Sequence, residues 1–385
     1  MIALLCSTIG IHVTYLLLLR RLSRRAARLS YDNMVNINRA NISKTTSLSL
    51  PLVSVIIPVF NEELVIERRL YNIFESTYPR DKIEVIVVDS GSNDRTHIII
   101  DKKFRDKLLL IREEVRKGKA HAINLALKKC RGEIVLLTDG PALYEKETIF
   151  HIVTSFEDPS VAGVSVLYRI PNTNENQITA SENIFWSYKD KIRVLESKAC
   201  STSWLSGEAC AFRKKIINEV HEDTLGDDSN IALQLISKGY RVIVNENSHF
   251  SEKSPSQVYD YFKIKIRRAS GGLQETLRFK FLLFNPKFGR FGLIIFPYRF
   301  FSQLVSPIGS IIILVLIIPA IVEISSYFGI YAAVVTAMVL IIAILFLRQK
   351  VITYIYTQLI MLIASFLLLT KKVDVRWLQS RTTRL

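Results

Sequence analysis

Three aspartates stand where chemistry is possible. Asp89 closes the apolar run Val85-Ile86-Val87-Val88, and Asp139 closes Ile134-Val135-Leu136-Leu137-Thr138. The third, Asp228, lies in Gly226-Asp227-Asp228 at the head of a helix-like stretch. Carboxylates in such places can hold a divalent cation against a diphosphate, or take a proton from a hydroxyl. Any one of them alone also fits a plain turn or helix-cap role. Cations accompany them. Arg116-Lys117-Gly118-Lys119 offers charge where phosphates are neutralised, and Arg267-Arg268 closes a basic run that begins at Lys263. Between Asp89 and the next helix, Ser90-Gly91-Ser92 forms a turn through which backbone can approach a ligand closely. Asn93 or Asp94 is placed to cap that helix.

The elements that must position these groups alternate. Residues 54–58, 82–89, 107–112, 133–139, 162–168 and 241–245 read as strands. Residues 62–75, 93–105, 117–129, 183–197 and 228–238 read as helices, the first with Leu64, Leu70 and Phe74 on its apolar face. This order predicts an α/β fold: a Rossmann-like domain with a mostly parallel sheet and helices on both faces. In such a sheet the loops after the strand C-termini gather at one edge, where ligands bind.

The bulk properties point to a membrane. The chain has 385 residues, 49% of them hydrophobic, and a net charge of +16. Mean hydropathy is +0.23, and the apolar excess sits at residues 2–19 and in three runs at 303–322, 327–347 and 351–369, each near the length a bilayer needs. Five arginines between Arg20 and Arg28 follow the first run, which makes residues 1–20 a signal anchor with its C-terminal end in the cytoplasm. The expected organisation is a basic and polar linker over 21–51, a cytoplasmic catalytic domain over 52–275, an interfacial segment over 276–300, two or three spans within 301–370, and a basic tail over 371–385. The expected location is the cell membrane, multi-pass. Three spans put the tail outside, whereas its lysines and arginines favour the inside. No nucleic-acid module is visible, so nucleic acid is excluded as a partner. The cysteines have no metal-ligand spacing and read as free thiols.

Five pieces in order carry a resemblance: Val55-Ile56-Ile57-Pro58-Val59-Phe60-Asn61-Glu62-Glu63, the stretch from Val87 to Thr96, the stretch from Arg116 to Asn124, Asp139, and Gly207 to Arg213 with Asp227-Asp228. Together they resemble glycosyltransferase family 2, the inverting GT-A enzymes, in its membrane-bound branch. The resemblance implies a donor site in which Pro58, Asn61 and Glu62 line the nucleotide pocket. Asp89, with Ser90 beside it, contacts a uracil-type base or the ribose, and Lys119 lies near the nucleotide. It implies that Asp139 holds Mg²⁺ or Mn²⁺ on the diphosphate, that Asp228 is the general base, and that Asp227 orients the site or contacts the acceptor. The implied partners are a UDP- or GDP-sugar and a lipid-linked, glycolipid or glycan acceptor in cell-envelope glycan synthesis.

Two departures qualify it. The DxD position reads Asp139-Gly140-Pro141, without the second acid, so metal binding is weaker or dispensable, and Lys119 is a candidate for the substituting cation. The processive synthases' Gln-x-x-Arg-Trp motif is here Lys265-Ile266-Arg267-Arg268-Ala269, which keeps the arginines but not the Trp. That argues for single transfer over a processive or short-chain polysaccharide synthase. Arg267 and Arg268 are placed to clamp the diphosphate or an acceptor phosphate, or to form a basic interfacial helix. A non-catalytic nucleotide-sugar-binding relative is the third reading.

Overall fold

The computed structural model describes residues 10–26, 50–346, 348–370 and 383–384. The linker between the first helix and residue 50, and the tail apart from residues 383–384, lie outside the described residues. Helix α1 covers 10–26. The core then builds as β1 (Val53–Val59), α2 (Ile66–Phe74), β2 (Ile83–Asp89), α3 (Thr96–Phe104), β3 (Leu109–Arg112), α4 (Lys119–Leu127) and β4 (Ile134–Leu137). Period-two alternation decides which face each residue serves. Along β1, Val55, Ile57 and Val59 enter one core with Ile66 and Leu70 of α2 and Ile100 and Phe104 of α3. Ile56 points the other way, to Ile123 and Leu127 of α4. Each such buried aliphatic side chain contributes roughly 1.5–3 kcal/mol.

Helix α2 begins later than its sequence pattern suggested. Asn61 takes a left-handed φ of +53°, and the turn it starts has Val65 and Ile66 donating to the Glu62 carbonyl. The buried face is therefore Ile66, Leu70 and Ile73, and Leu64 is left exposed.

The second half adds β5 (Leu143–Tyr144), α5 (Thr148–Thr154), β6 (Val161–Arg169), α6 (Gln177–Ala199), β7 (Cys210–Arg213), α7 (Asp227–Ser237), β8 (Arg241–Ser251) and α8 (Val258–Arg278). The sheet order is β3-β2-β1-β4-β7-β6-β8-β5. From β3 to β4 every pairing is parallel, so the loops after β1, β2 and β4 open at one edge. Beyond β4 the expectation of a mostly parallel sheet is corrected. Strand β7 runs antiparallel to both β4 and β6, and β5 antiparallel to β8, while β6 and β8 are parallel. The sheet is mixed because β7, four residues long, inserts in the reverse sense between strands that the alternation alone would have paired.

Helix α9 (Phe296–Phe346) is interrupted at Gly329, whose φ is +79°, and α10 spans Arg348–Leu369. Among the described residues, two stretches, Phe291–Ile312 and Arg348–Leu369, are long and apolar enough to cross a membrane by length and composition. Both ends of the molecule dock on the α/β unit. Tyr15 of α1 donates to Glu196 Oε1 of α6 at 2.6 Å and stacks on Tyr298. Gln349 of α10 donates to Ser181 Oγ of α6 at 2.8 Å.

One contact fixes the base of the site. A Cβ on Gly271 of α8 would lie 2.8 Å from the Leu225 carbonyl carbon and 2.9 Å from the Gly226 nitrogen. Backbone cannot yield there without moving the residues that precede Asp227. Gly271→Ala is expected to cost about 1–3 kcal/mol and to lower activity as well, checked by thermal unfolding beside the assay described below.

Candidate active site

The loops after β1 and β2 are tied into one floor. The Asn61 N–H donates to Ser92 Oγ (2.9 Å), and Asn93 N–H donates back to Asn61 Oδ1 (2.9 Å). Asp94 accepts from Glu63 N–H and from Thr96 N–H at the start of α3; the cap position itself is held by Arg95, without a side-chain cap. Asp89 is buried, and its Oδ1 accepts from Ser92 N–H at 2.9 Å. Its Oδ2 is buried with no hydrogen-bond partner among the described residues, 4.0 Å from Arg112 Nε. Ser90 is also buried and donates to Glu113 Oε2 at 2.6 Å.

Above this floor, α4 and α7 bring their N-termini together. Lys119, the first residue of α4, places Nζ 2.8 Å from Asp139 Oδ1 and 3.1 Å from Asp227 Oδ2. Burial alone would lower the ammonium's pKa, but Asp139 and Asp227 hold it well above the ordinary lysine value. Asp228 sits beside this centre and accepts from Trp204 Nε1 at 3.0 Å and from Ser229 N–H. Burial first, then the Asp227 carboxylate, push Asp228 up to about 6. A carboxylate poised there is unprotonated near neutrality yet basic enough to take a proton. A reaction that uses Asp228 as its base is therefore expected to lose rate as pH falls through about 6, because protonation removes the acceptor lone pair. A pH profile of kcat/KM checks this, and a flat acid limb would contradict it.

Helix α8 supplies the opposing cations. Arg268 Nη2 donates to Glu208 Oε1 at 2.8 Å, and Glu252 is near both, pushed up to about 8 by burial and then by Glu208. Arg267 is oriented by the Leu225 carbonyl, and its Nε is buried with no hydrogen-bond partner among the described residues. Pro58, Glu62, Lys119, Asp139, Arg267 and Arg268 line one cleft. Asp227 and Asp228 share a second with Lys119, Asp139 and both arginines. Asn61, Asp89 and Ser90 line neither and lie in the floor. A third cavity, lined by Trp186, Tyr261, Ile360 and Met361 among others, meets the second at Trp204. The three spaces adjoin one another: the first and third share Tyr261 and Lys265, the second and third share Trp186 and Trp204, Arg268 lines all three, and Asp228 lines the second.

Several contributors were not assigned from sequence. Nothing in the sequence around Trp204 separates a stacking residue from a core one. Glu208 lay inside a recognised stretch without a role. Glu252 directly follows Ser251, the last residue of β8, so reading that strand to its full length would have marked it as a strand-end acid like Asp89. Arg384, which lies on Glu62, has no local signal at all.

The glycosyl transferase family 2 model matches residues 54–220. A mannosyltransferase from Pyrobaculum calidifontis, solved with GDP-mannose and Mn²⁺, superposes with a TM-score of 0.74 at 28% identity, covering 97% of this chain and 98% of that one. A probable glycosyltransferase, YdaM, of Bacillus subtilis is 26% identical over 265 residues, 66% of this chain and 63% of its own length. A beta-monoglucosyldiacylglycerol synthase of Trichormus variabilis is 26% identical over 248 residues, 63% of this chain and 53% of its own. The chain thus spans less than two thirds of those two curated relatives.

Proposed function

This chain belongs to glycosyltransferase family 2, and on that premise we propose that it moves one sugar from a nucleoside-diphosphate donor to a membrane-associated acceptor, with inversion. The observation that carries this reading is the position of Asp228. Asp228 lines a cleft with Lys119, Asp139, Arg267 and Arg268, chemistry suited to a diphosphate. That cleft shares Trp186 and Trp204 with a cavity walled by aromatic side chains of α6 and α8 and by α10, suited to an amphipathic acceptor.

The steps follow from those placements. The acceptor hydroxyl gives its proton to Asp228 as its oxygen attacks the anomeric carbon. The bond from that carbon to the diphosphate breaks on the opposite face, and a single displacement inverts the configuration. Lys119 and the unpaired Nε of Arg267 meet the charge that develops on the leaving diphosphate. Asp227 fixes Lys119 and, by its charge, keeps Asp228 basic.

A divalent cation is supported by the neighbour solved with GDP-mannose and Mn²⁺. Pro141 stands at the second-acid position and Lys119 opposes Asp139 Oδ1, so among the described residues Asp139 and the donor's diphosphate would hold the ion, which would supply Lewis-acid stabilisation of the leaving group. Lys119 is the cation that the chain itself supplies there.

A membrane acceptor is supported by the two apolar stretches beside the cavity and by the diacylglycerol product named for one relative. The test is transfer of label from UDP- and GDP-sugars by detergent-purified protein supplied with native lipid extract. A labelled product of one added sugar in the organic phase is expected. A ladder of lengths would point instead to a polysaccharide synthase, and label in water-soluble acceptors alone would overturn the membrane acceptor.

A further inference from the structure

We propose that Arg384 is a ligand of the donor's diphosphate, brought to the cleft from the opposite end of the sequence; the inference rests on the nucleotide-sugar reading above. Thr383 and Arg384 line the same cleft as Pro58, Lys119, Asp139 and Arg267. The guanidinium faces Glu62 with two donors, Nε to Oε2 at 2.9 Å and Nη2 to Oε1 at 2.5 Å. Nη1 donates to Thr383 Oγ1 at 2.6 Å, which sets the plane of the fork.

Three observations favour a ligand over a structural pair. First, a fork matched to the two oxygens of a carboxylate is equally matched to two phosphate oxygens. Second, Lys119, Lys265 and Arg268 at this cleft are opposed by acids, and Arg267, whose Nε has no hydrogen-bond partner among the described residues, lines the cleft with Arg384, so the two guanidinium groups together would serve a diphosphate. Third, Glu62 packs against the turn that follows Asp139, where a Cβ on Gly140 would stand 3.3 Å from Glu62 Cγ and Cδ. The Glu62–Arg384 pair therefore lies beside Gly140, one residue before Pro141, where the family's second acid is missing and which lines the same cleft. Burial raises the Glu62 carboxyl against the lowering pull of Arg384, so Glu62 can give up the guanidinium by taking a proton instead of remaining a bare buried charge.

The test is calorimetric binding of GDP, UDP, guanosine and uridine to the full chain in detergent. Arg384→Ala is expected to weaken the nucleoside diphosphate that the unmodified protein binds by about 10- to 100-fold, with the matching nucleoside unaffected. Arg384→Lys, which keeps the charge without the fork, is expected to fall between. Glu62→Gln removes the competing carboxylate and is expected to tighten the diphosphate. Tighter binding in Arg384→Ala would mean that the side chain blocks the cleft, and would overturn the assignment. Unchanged binding there, or weaker binding in both Arg384→Ala and Glu62→Gln, would reduce the pair to a structural contact and overturn it as well. An unmodified protein that binds neither GDP nor UDP would overturn the nucleotide-sugar reading and this assignment with it.

Discussion

Replacing Asp228 by Asn is expected to lower sugar transfer by about 10²–10⁴-fold while leaving nucleotide binding nearly unchanged. The substitution is close to isosteric, and the amide oxygen can still accept from Trp204 Nε1, which now reaches Asp228 Oδ2 at 3.0 Å. What disappears is the lone pair that takes the acceptor's proton. The fold should not suffer, because Asp228 is a half-buried acid beside the buried Asp227, and both desolvation and that neighbour work against its charged form. Loss of rate with retained stability and retained nucleotide affinity separates a base from a donor-site residue. If affinity fell in step with rate, Asp228 would belong to the donor site instead.

Lys119→Met is the second large effect, and it has a different signature. The ammonium lies within 3.1 Å of carboxylates from two different elements, the loop after β4 and the start of α7. Removing it leaves Asp139 and Asp227 facing each other in a site where each had been compensated. Breaking a buried pair in this way costs about 3–5 kcal/mol, so a clear drop in melting temperature is expected. The deficit should shrink once pH is low enough to protonate the orphaned carboxylates. Diphosphate affinity and transfer should both fall, in contrast to Asp228→Asn. Loss of activity without loss of stability would mean that the lysine is not holding the two acids together. Recovery of the variant by Mn²⁺ would show that the ammonium stands in the place of an ion.

The first half of the fold was legible because its strands are mostly apolar runs, two of which, β2 and β4, lead into acids, and each helix between them begins at a polar or glycine-rich turn. The same property exposed Asp89 and Asp139, and the adjacent acids at 227–228 stood out at a helix head. Lys119 was visible as a cation near the nucleotide. That it bridges Asp139 and Asp227 was not visible, because the bridge depends on α4 and α7 meeting across the sheet edge. The second half was harder for physical reasons. Strand β7 has four residues and follows a Ser-Gly-Glu turn, so nothing in its pattern reports that it pairs antiparallel to β4. Strand β8 carries polar residues at Asn245, Glu246 and Asn247, which broke the run that would have led to Glu252. Beside the basic run of α8, Gly271-Gly272 suggests a turn or close packing in the sequence, and the structure shows that Gly271 is what lets Leu225 and Gly226 approach. The pairing of Glu62 with Arg384 spans 322 positions, a separation at which only the folded chain can bring two residues together.

The central claim is that one catalytic carboxylate serves a nucleotide-sugar donor, and the direct measurement is release of nucleoside diphosphate from a panel of UDP- and GDP-sugars. It is made on detergent-purified protein with native lipid extract, with and without EDTA, beside Asp228→Asn. Turnover of one donor that the extract stimulates and that Asp228→Asn removes is the predicted result, and the EDTA arm reads how far Lys119 serves without an ion. Equal release by Asp228→Asn and the unmodified protein would contradict the account.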